Sequence, residues 1–219
     1  MIYVVGRYEE EEEHFISTGE ALFKAFFKVL DTKTQTWHTL PANYSEDKGV
    51  FSAGNSEFVD GKLHVVPWTS RCMAYNPKEA RWEQADRVMG AFMSQNAYCE
   101  IDNVLCSAFL GFLRWYDTQS ATWRNFMGLP QGFFSYSCHQ IRLANFRGKI
   151  AAFWAQNFPC DDDDDDDDDD CDDKKMIWCA VIALDKRTSC EIWGIVESLD
   201  HVLTVPKDSN LVKALAATL

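Results

Sequence analysis

One phrase recurs in this chain at near-constant spacing, and the recurrence restricts the fold more than any bulk property does. Leu113-Arg-Trp-Tyr-Asp-Thr-Gln-Ser-Ala-Thr-Trp123 passes from apolar residues to an aspartate, then through small polar residues to a tryptophan. Val29-Leu-Asp-Thr-Lys-Thr-Gln-Thr-Trp37 and Ala74-Tyr-Asn-Pro-Lys-Glu-Ala-Arg-Trp82 have the same shape. In each copy an acid or amide precedes the tryptophan by six residues: Asp31 and Trp37, Asn76 and Trp82, Asp117 and Trp123. The copies lie 45 and then 41 residues apart, a period that belongs to repeat architectures.

Each copy reads as a β-hairpin. Asp or Asn at a strand end accepts a hydrogen bond from its own backbone two residues on and starts a turn. The tryptophan then opens a return strand with a residue suited to a pleated surface. Between the copies lies a second hairpin signal. Asp60-Gly61 sits between short apolar runs in Phe58 to Val66, Asp102-Asn103 does so in Tyr98 to Cys106, and Gly148 does so in Ile141 to Trp154. A unit of hairpin, loop and hairpin supplies four strands in a little over 40 residues, which is the content of a propeller blade.

The expected domain is therefore residues 1–219, all-β, a partial β-propeller of about three to four four-stranded blades in an incomplete ring. Residues 2–5 read as a strand entered midway, as though an N-terminal part were lacking. Leu22 to Leu30 reads as a strand by its place in the repeat, and residues 38–57 read as loop. The first full unit is expected at Phe58–Ala85, the second at Ala97–Phe126, and a third from about Tyr136. Leu184-Asp185 repeats the strand-to-turn phrase, Ile192-Trp193 resumes a strand, and Val202–Val205 is another. The pattern leaves Leu211–Leu219 open between helix and strand.

Asp185 follows Asp117 by 68 residues, and an acidic insertion accounts for the excess over the earlier intervals. The charges of Asp161 to Asp170 stand about 3.3 Å apart in an extended chain, inside a Debye length of about 8 Å. They repel, so residues 155–175 are expected to form a disordered loop. Setting aside the twelve aspartates between Asp161 and Asp173 brings the net charge from −13 to −1. The body is then near neutral and offers no basic face for nucleic acid. No apolar run reaches the length of a membrane-spanning helix, and the start has no signal-peptide pattern. The eight cysteines include no CxxC pair and read as buried thiols of a reducing compartment, cytoplasmic or nuclear.

With these phrases assembled, the chain resembles the kelch-repeat part of the plant F-box/kelch-repeat proteins. The residues carrying the resemblance are Leu30 to Trp37, Val59 to Leu63, Leu113 to Trp123, Ile177 to Leu184, Glu191 to Gly194 and Val202 to Pro206. The resemblance implies a kelch-type propeller acting as a non-catalytic protein-interaction module. In that family the propeller is the substrate-recognition part of a Skp1–cullin–F-box ubiquitin ligase. It implies a protein substrate gripped by propeller loops, and a Skp1-type adaptor only if an F-box is supplied elsewhere, since none is seen here. The glycine doublet expected at the end of each blade's second strand is degenerate: Gly6-Arg7 at the start, Pro67-Trp68 after Val66 and Ala108-Phe109 after Cys106. A truncated structural remnant without a ligase role is the alternative, and an enzyme on a propeller scaffold comes behind both.

No catalytic, cofactor-binding or metal-binding residue is assigned. The five histidines show no paired spacing, and His64 reads as a packed or rim side chain. Cys160 and Cys171 bracket the acidic run without a second pair to complete a metal site. The acidic run lacks the turn and mixed carbonyl ligands of a calcium loop. The repeat tryptophans Trp37, Trp82 and Trp123 read as core. Each would bury some 150–250 Å², roughly 4–6 kcal/mol gross at about 25 cal/mol/Å². Trp123→Ala is then expected to destabilise by about 3–5 kcal/mol. Residues that bind a partner are not identifiable.

Overall fold

A computed structural model describes residues 1–9, 23–40, 55–66, 72–91, 93, 97–130, 132–134, 139–157 and 174–216. These residues form four antiparallel sheets. The first is β1(Ile2–Glu9), β2(Phe23–Asp31) and β3(Thr36–Thr39). The second is β4(Asn55–Val59), β5(Lys62–Val66), β6(Met73–Asn76) and β7(Arg81–Gln84). The third is β8(Tyr98–Ile101), β9(Val104–Phe109), β10(Phe112–Asp117) and β11(Thr122–Asn125). The fourth is β12(His139–Phe146), β13(Lys149–Asn157), β14(Lys174–Thr188) and β15(Glu191–Pro206). In every sheet, strands adjacent in sequence are adjacent in space, as expected of propeller blades. A single helical turn, α1(Arg87–Gly90), follows β7 and has no counterpart in the sequence reading.

The sheets fall into two compact units, Met1–Gly90 and Ala91–Leu219. Within the first, Phe27, Val29, Leu40, Leu63, Val65 and Tyr75 form the core between the first two sheets. Tyr3 stacks on Phe58 across the same pair at 5.6 Å. Within the second unit, the core runs from Ile101, Cys106 and Trp115 of the third sheet to Ile150, Ala152, Trp154, Ala180 and Ile182 of the fourth. On β13 the core takes alternate residues, Ile150, Ala152 and Trp154, while Ala151 and Ala155 are buried as well, so the strand is covered on both faces.

The two-residue turns follow from backbone stereochemistry. Asp60-Gly61, Asp102-Asn103 and Arg147-Gly148 all take positive φ at both positions, the conformation that matches strand twist. Leu110-Gly111 does the same between β9 and β10, where the sequence suggested only a loop. Gly111 is required there for a second reason. A Cβ would lie 2.8 Å from the Phe134 carbonyl oxygen.

Several boundaries differ from the sequence reading. Thr36–Thr39 and Asn55–Val59 are strands, so the expected loop 38–57 shrinks at both ends, and the second sheet begins at Asn55. Its residues 41–54 lie outside the described residues, as do 158–173 of the acidic insertion. Residues 155–157 and 174–175, expected within that disordered loop, are strand instead: Ala155 pairs with Ile177, Asn157 with Lys175, and Lys174 with Pro206. Asp185 does not end its strand. It pairs with Trp193, and β14 runs on to Thr188 because the ribbon beyond β13 finds a second support. Met127 N–H donates to the Ile192 carbonyl at 3.0 Å, and Gly194 N–H donates to the Met127 carbonyl at 2.9 Å. Leu211 to residue 216 is irregular, neither helix nor strand. Cys72, Cys99 and Cys106 are buried as expected, but Cys190 is exposed at the β14–β15 turn. No helix among the described residues is long and apolar enough to cross a membrane.

Candidate interaction surface

The recurring Asp–Trp phrase builds one end of each of the first three sheets. Asp31 Oδ1 accepts the Lys33 N–H at 2.8 Å, Asn76 Oδ1 accepts the Lys78 N–H at 3.0 Å, and Asp117 Oδ1 accepts the Gln119 N–H at 3.0 Å. The fourth turn residue takes positive φ in each copy: Gln35, Ala80 and Ala121. The tryptophan then falls opposite the residue before the acid or amide, in the pairs Leu30–Trp37, Tyr75–Trp82 and Tyr116–Trp123. The six-residue offset is thus the length of one capped four-residue turn plus two residues of return strand, the tryptophan being the second.

The tryptophans themselves depart from expectation. Trp82 and Trp123 are half-buried and Trp37 is 54% exposed, so none belongs to the fully buried core. The reason is positional: they sit on the outermost strand of each sheet, where one ring face is all that a neighbour covers. Trp82 meets Phe27 of the first sheet edge-on at 4.7 Å and Tyr75 at 5.3 Å, while Trp123 meets Tyr116 at 5.4 Å. Among the described residues the buried indoles are Trp115 and Trp154, neither of them at the position the six-residue offset marks. A periodic signal finds positions shared by all blades, whereas these two are set by packing between particular sheets.

Asp117 has the most elaborate turn. Its carboxylate accepts from the Ser120 hydroxyl and from Arg124 Nε, each at 2.8 Å, besides two backbone N–H groups. The Ser120 bond foremost, then Arg124 and the backbone donors, hold its pKa down to about 2 against the opposing effect of burial. Asp31 is lowered likewise, chiefly by the Lys33 N–H.

These tight, self-bonded turns share an end of their sheet with the turn that joins its first two strands, because antiparallel order alternates the ends. In the second sheet, 60–61 and 77–80 lie together; in the third, 102–103 and 118–121. The strands that meet the opposite ends are separated by longer stretches of sequence: 67–72 and 85–97 for the second sheet, 126–138 after the third and 158–173 within the fourth. Of these, 67–71, 92, 94–96, 131, 135–138 and 158–173 lie outside the described residues. The two-residue Leu110-Gly111 turn of the third sheet is the exception. Turn ends whose donors and acceptors are internally satisfied offer little to a partner. Long connections on a rigid scaffold are where recognition concentrates. At this end of the third sheet Leu110 is 66% exposed at its turn, and Met127 is exposed just past β11.

The other residues considered from sequence are not drawn into a site. His64 is half-buried on β5, and burial first, then neighbouring Lys62, lowers its pKa. Burial raises the Cys72 thiol. Cys160, Cys171 and the acidic run lie outside the described residues. Among the described residues, no group of three or more His, Cys, Asp or Glu side chains is placed to hold a metal ion.

Comparison with known proteins places this geometry in a family. The profile described as FKB95, Kelch-repeats domain, matches residues 1–203. An F-box/kelch-repeat protein of Arabidopsis thaliana is 45% identical over 219 residues, covering 99% of this chain and 53% of the relative. A second from the same plant is 40% identical over 224 residues, covering 100% of this chain and 55% of the relative. A third is 38% identical over 226 residues and is covered to 68% of its length. The chain spans about half the length of the first two relatives.

Proposed function

Because the chain belongs to the FKB95 kelch-repeat family, we propose that it is a non-catalytic module that binds a protein through the long-connection ends of its blades. The observation that carries this reading is the contrast between the two ends of each sheet. One end is closed by turns whose polar groups are bonded internally, and the other carries the longer connections, with Leu110 exposed on the two-residue β9–β10 turn and Met127 exposed just past β11. The partner is a protein and not a nucleic acid, since the charge outside the aspartate-rich stretch is close to neutral.

The relatives are F-box/kelch-repeat proteins, and this supports a finer reading. The bound protein is a substrate presented to a ubiquitin ligase of the Skp1–cullin–F-box type, with the Skp1-type adaptor held by an F-box and not by the blades. The test uses the chain alone and the same chain joined to an F-box. Both are expected to capture the same client proteins from plant extract, and only the joined form to recover the adaptor and ubiquitinate the client. Leu110→Asp is expected to weaken client capture at least tenfold with unchanged folding. Capture indifferent to Leu110 and to Met127→Asp, but lost on changing the turn residues 118–121, would reverse the assignment of ends. Adaptor recovery by the blades alone would refute the division of labour.

A further inference from the structure

The last strand leaves an edge that nothing described covers. β15 closes one side of the fourth sheet, with β14 along its other edge. Its outer edge is engaged at Gly194 by Met127, and from Ile195 to Pro206 no described residue pairs with it. The described residues that follow, up to 216, do not fold back over it. Leu211 N–H donates to Gln140 Oε1 and Arg142 Nε to the Val212 carbonyl, both at 2.7 Å, which ties the tail to β12 at the opposite side of the sheet.

This edge is apolar. Ile195, Val196, Leu199, Val202 and Leu203 are between 37% and 56% exposed. Long free edges are commonly guarded by lysine or proline, but no Lys, Arg or Pro lies between Ile195 and Val205. The order of side chains is also close to palindromic about Leu199. Reading outward, Ser198 mirrors Asp200, Glu197 mirrors His201, Val196 mirrors Val202 and Ile195 mirrors Leu203. Ser198, Leu199 and Asp200 at the centre of the palindrome keep unbroken register with β14, while the register shifts fall further out, at Glu197 and Val202.

We propose that β15 pairs antiparallel with β15 of a second copy of this chain, about a twofold axis at Leu199. The palindrome is what selects a second copy as the occupant. Antiparallel self-pairing places residue i opposite its mirror, so apolar residues meet apolar ones, and Glu197, whose carboxylate already holds Lys149 Nζ at 2.6 Å, stands opposite His201, whose Nε2 lies 3.1 Å from Thr204 Oγ1. No like charges stand directly opposite, an arrangement that would destabilise a strand pair. The pairing also satisfies backbone donors and acceptors of the edge, the usual source of affinity in strand addition. Two fourth sheets thereby become one eight-stranded sheet, and the contact is isologous and closed.

Sedimentation equilibrium of the full chain tests this, at physiological salt so that the −13 charge on each copy is screened. A monomer–dimer equilibrium is expected, with Leu199→Lys weakening it at least tenfold by placing lysine against lysine. Leu199→Glu alone is expected to do the same, and an equimolar mixture of the two variants to regain the dimer. Leu199 is half-exposed, so circular dichroism of both variants should match the parent. A chain monomeric at every concentration, a dimer indifferent to Leu199→Lys, or a mixture that stays monomeric would each overturn the proposal.

Discussion

The two units hold their sheets together by different means. In residues 1–90, the first and second sheets meet through a small aliphatic and aromatic core, with Trp82 on Phe27 and Tyr3 on Phe58. In residues 91–219, the third and fourth sheets share a larger core and are also stitched by hydrogen bonds. Met127 bonds main chain to main chain with Ile192 and Gly194, Asn145 Nδ2 donates to the Glu100 carbonyl at 3.0 Å, and Lys186 Nζ donates to that of Asp102 at 3.3 Å. Directional bonds between blades fix register more firmly than apolar contact does. The second unit should therefore be the stiffer scaffold, and the first the more easily opened.

The sharpest way to break this comparison is Trp154→Ala. Trp154 is buried against Phe134 at 5.3 Å and Phe133 at 6.0 Å, at the centre of the larger core. Its truncation is expected to cost about 3–5 kcal/mol, read as a lowered urea midpoint. Amide exchange should accelerate throughout residues 97–157 and 174–206 and remain unchanged in residues 23–40 and 55–66. Equal acceleration in both would show that the units unfold as one.

Trp82→Ala probes the first unit in the same way. The ring is half-buried, so the loss is smaller, about 2–3 kcal/mol, and exchange should rise in β2 and β6 first. A cost as large as that of Trp154→Ala would mean that the smaller core is the stronger one.

Gly128→Ala tests the stitching itself. Gly128 has a φ of +76°, and a Cβ would lie 2.7 Å from the Trp193 ring and 3.1 Å from the Gly194 carbonyl oxygen. Trp193 has little room to withdraw, since Arg187 lies over its face at 3.9 Å and its Nε1 donates to Glu191 at 2.6 Å. Strain at positive φ and the clash together are expected to cost about 2 kcal/mol. The Gly194 amide should lose its exchange protection. Protection that survives would show that the Met127 bonds are dispensable.

What was legible in the sequence divides along similar lines. The hairpins were readable because their causes are local: an Asp or Asn that caps its own turn, and residues that accept positive φ. The strand at Phe23–Asp31, whose pattern alone was ambiguous, was recovered because the repeat fixed its place. The burial of the tryptophans was not readable. The sequence gives no measure of what lies across from an outer strand, and Trp37 and Trp123 share a motif while differing in cover. The clasp at Trp193 was missed for the same reason, since Met127 and Gly194 are joined only through tertiary contact. The site's location became visible only when antiparallel order sorted the connections by end.

The smallest expected effect refines the comparison between Asn76 and Asp117, which cap equivalent turns in the two units. Asn76 caps through its amide oxygen, while Asp117 adds Ser120 and Arg124 to a carboxylate held at a pKa of about 2. A pKa lowered by folding stabilises above the ordinary carboxylate value of 3.8, and that stability is lost as pH falls through about 2. With Arg124 partly exposed, solvent screening reduces the contribution to about 1 kcal/mol. Asp117→Asn should therefore lower stability by about that amount at pH 7, and the gap should close as pH drops from 4 towards 2. Urea titrations at stepped pH distinguish the cases. A gap that persists unchanged at pH 2 would place the advantage of Asp117 in turn geometry, making it equivalent to Asn76 after all.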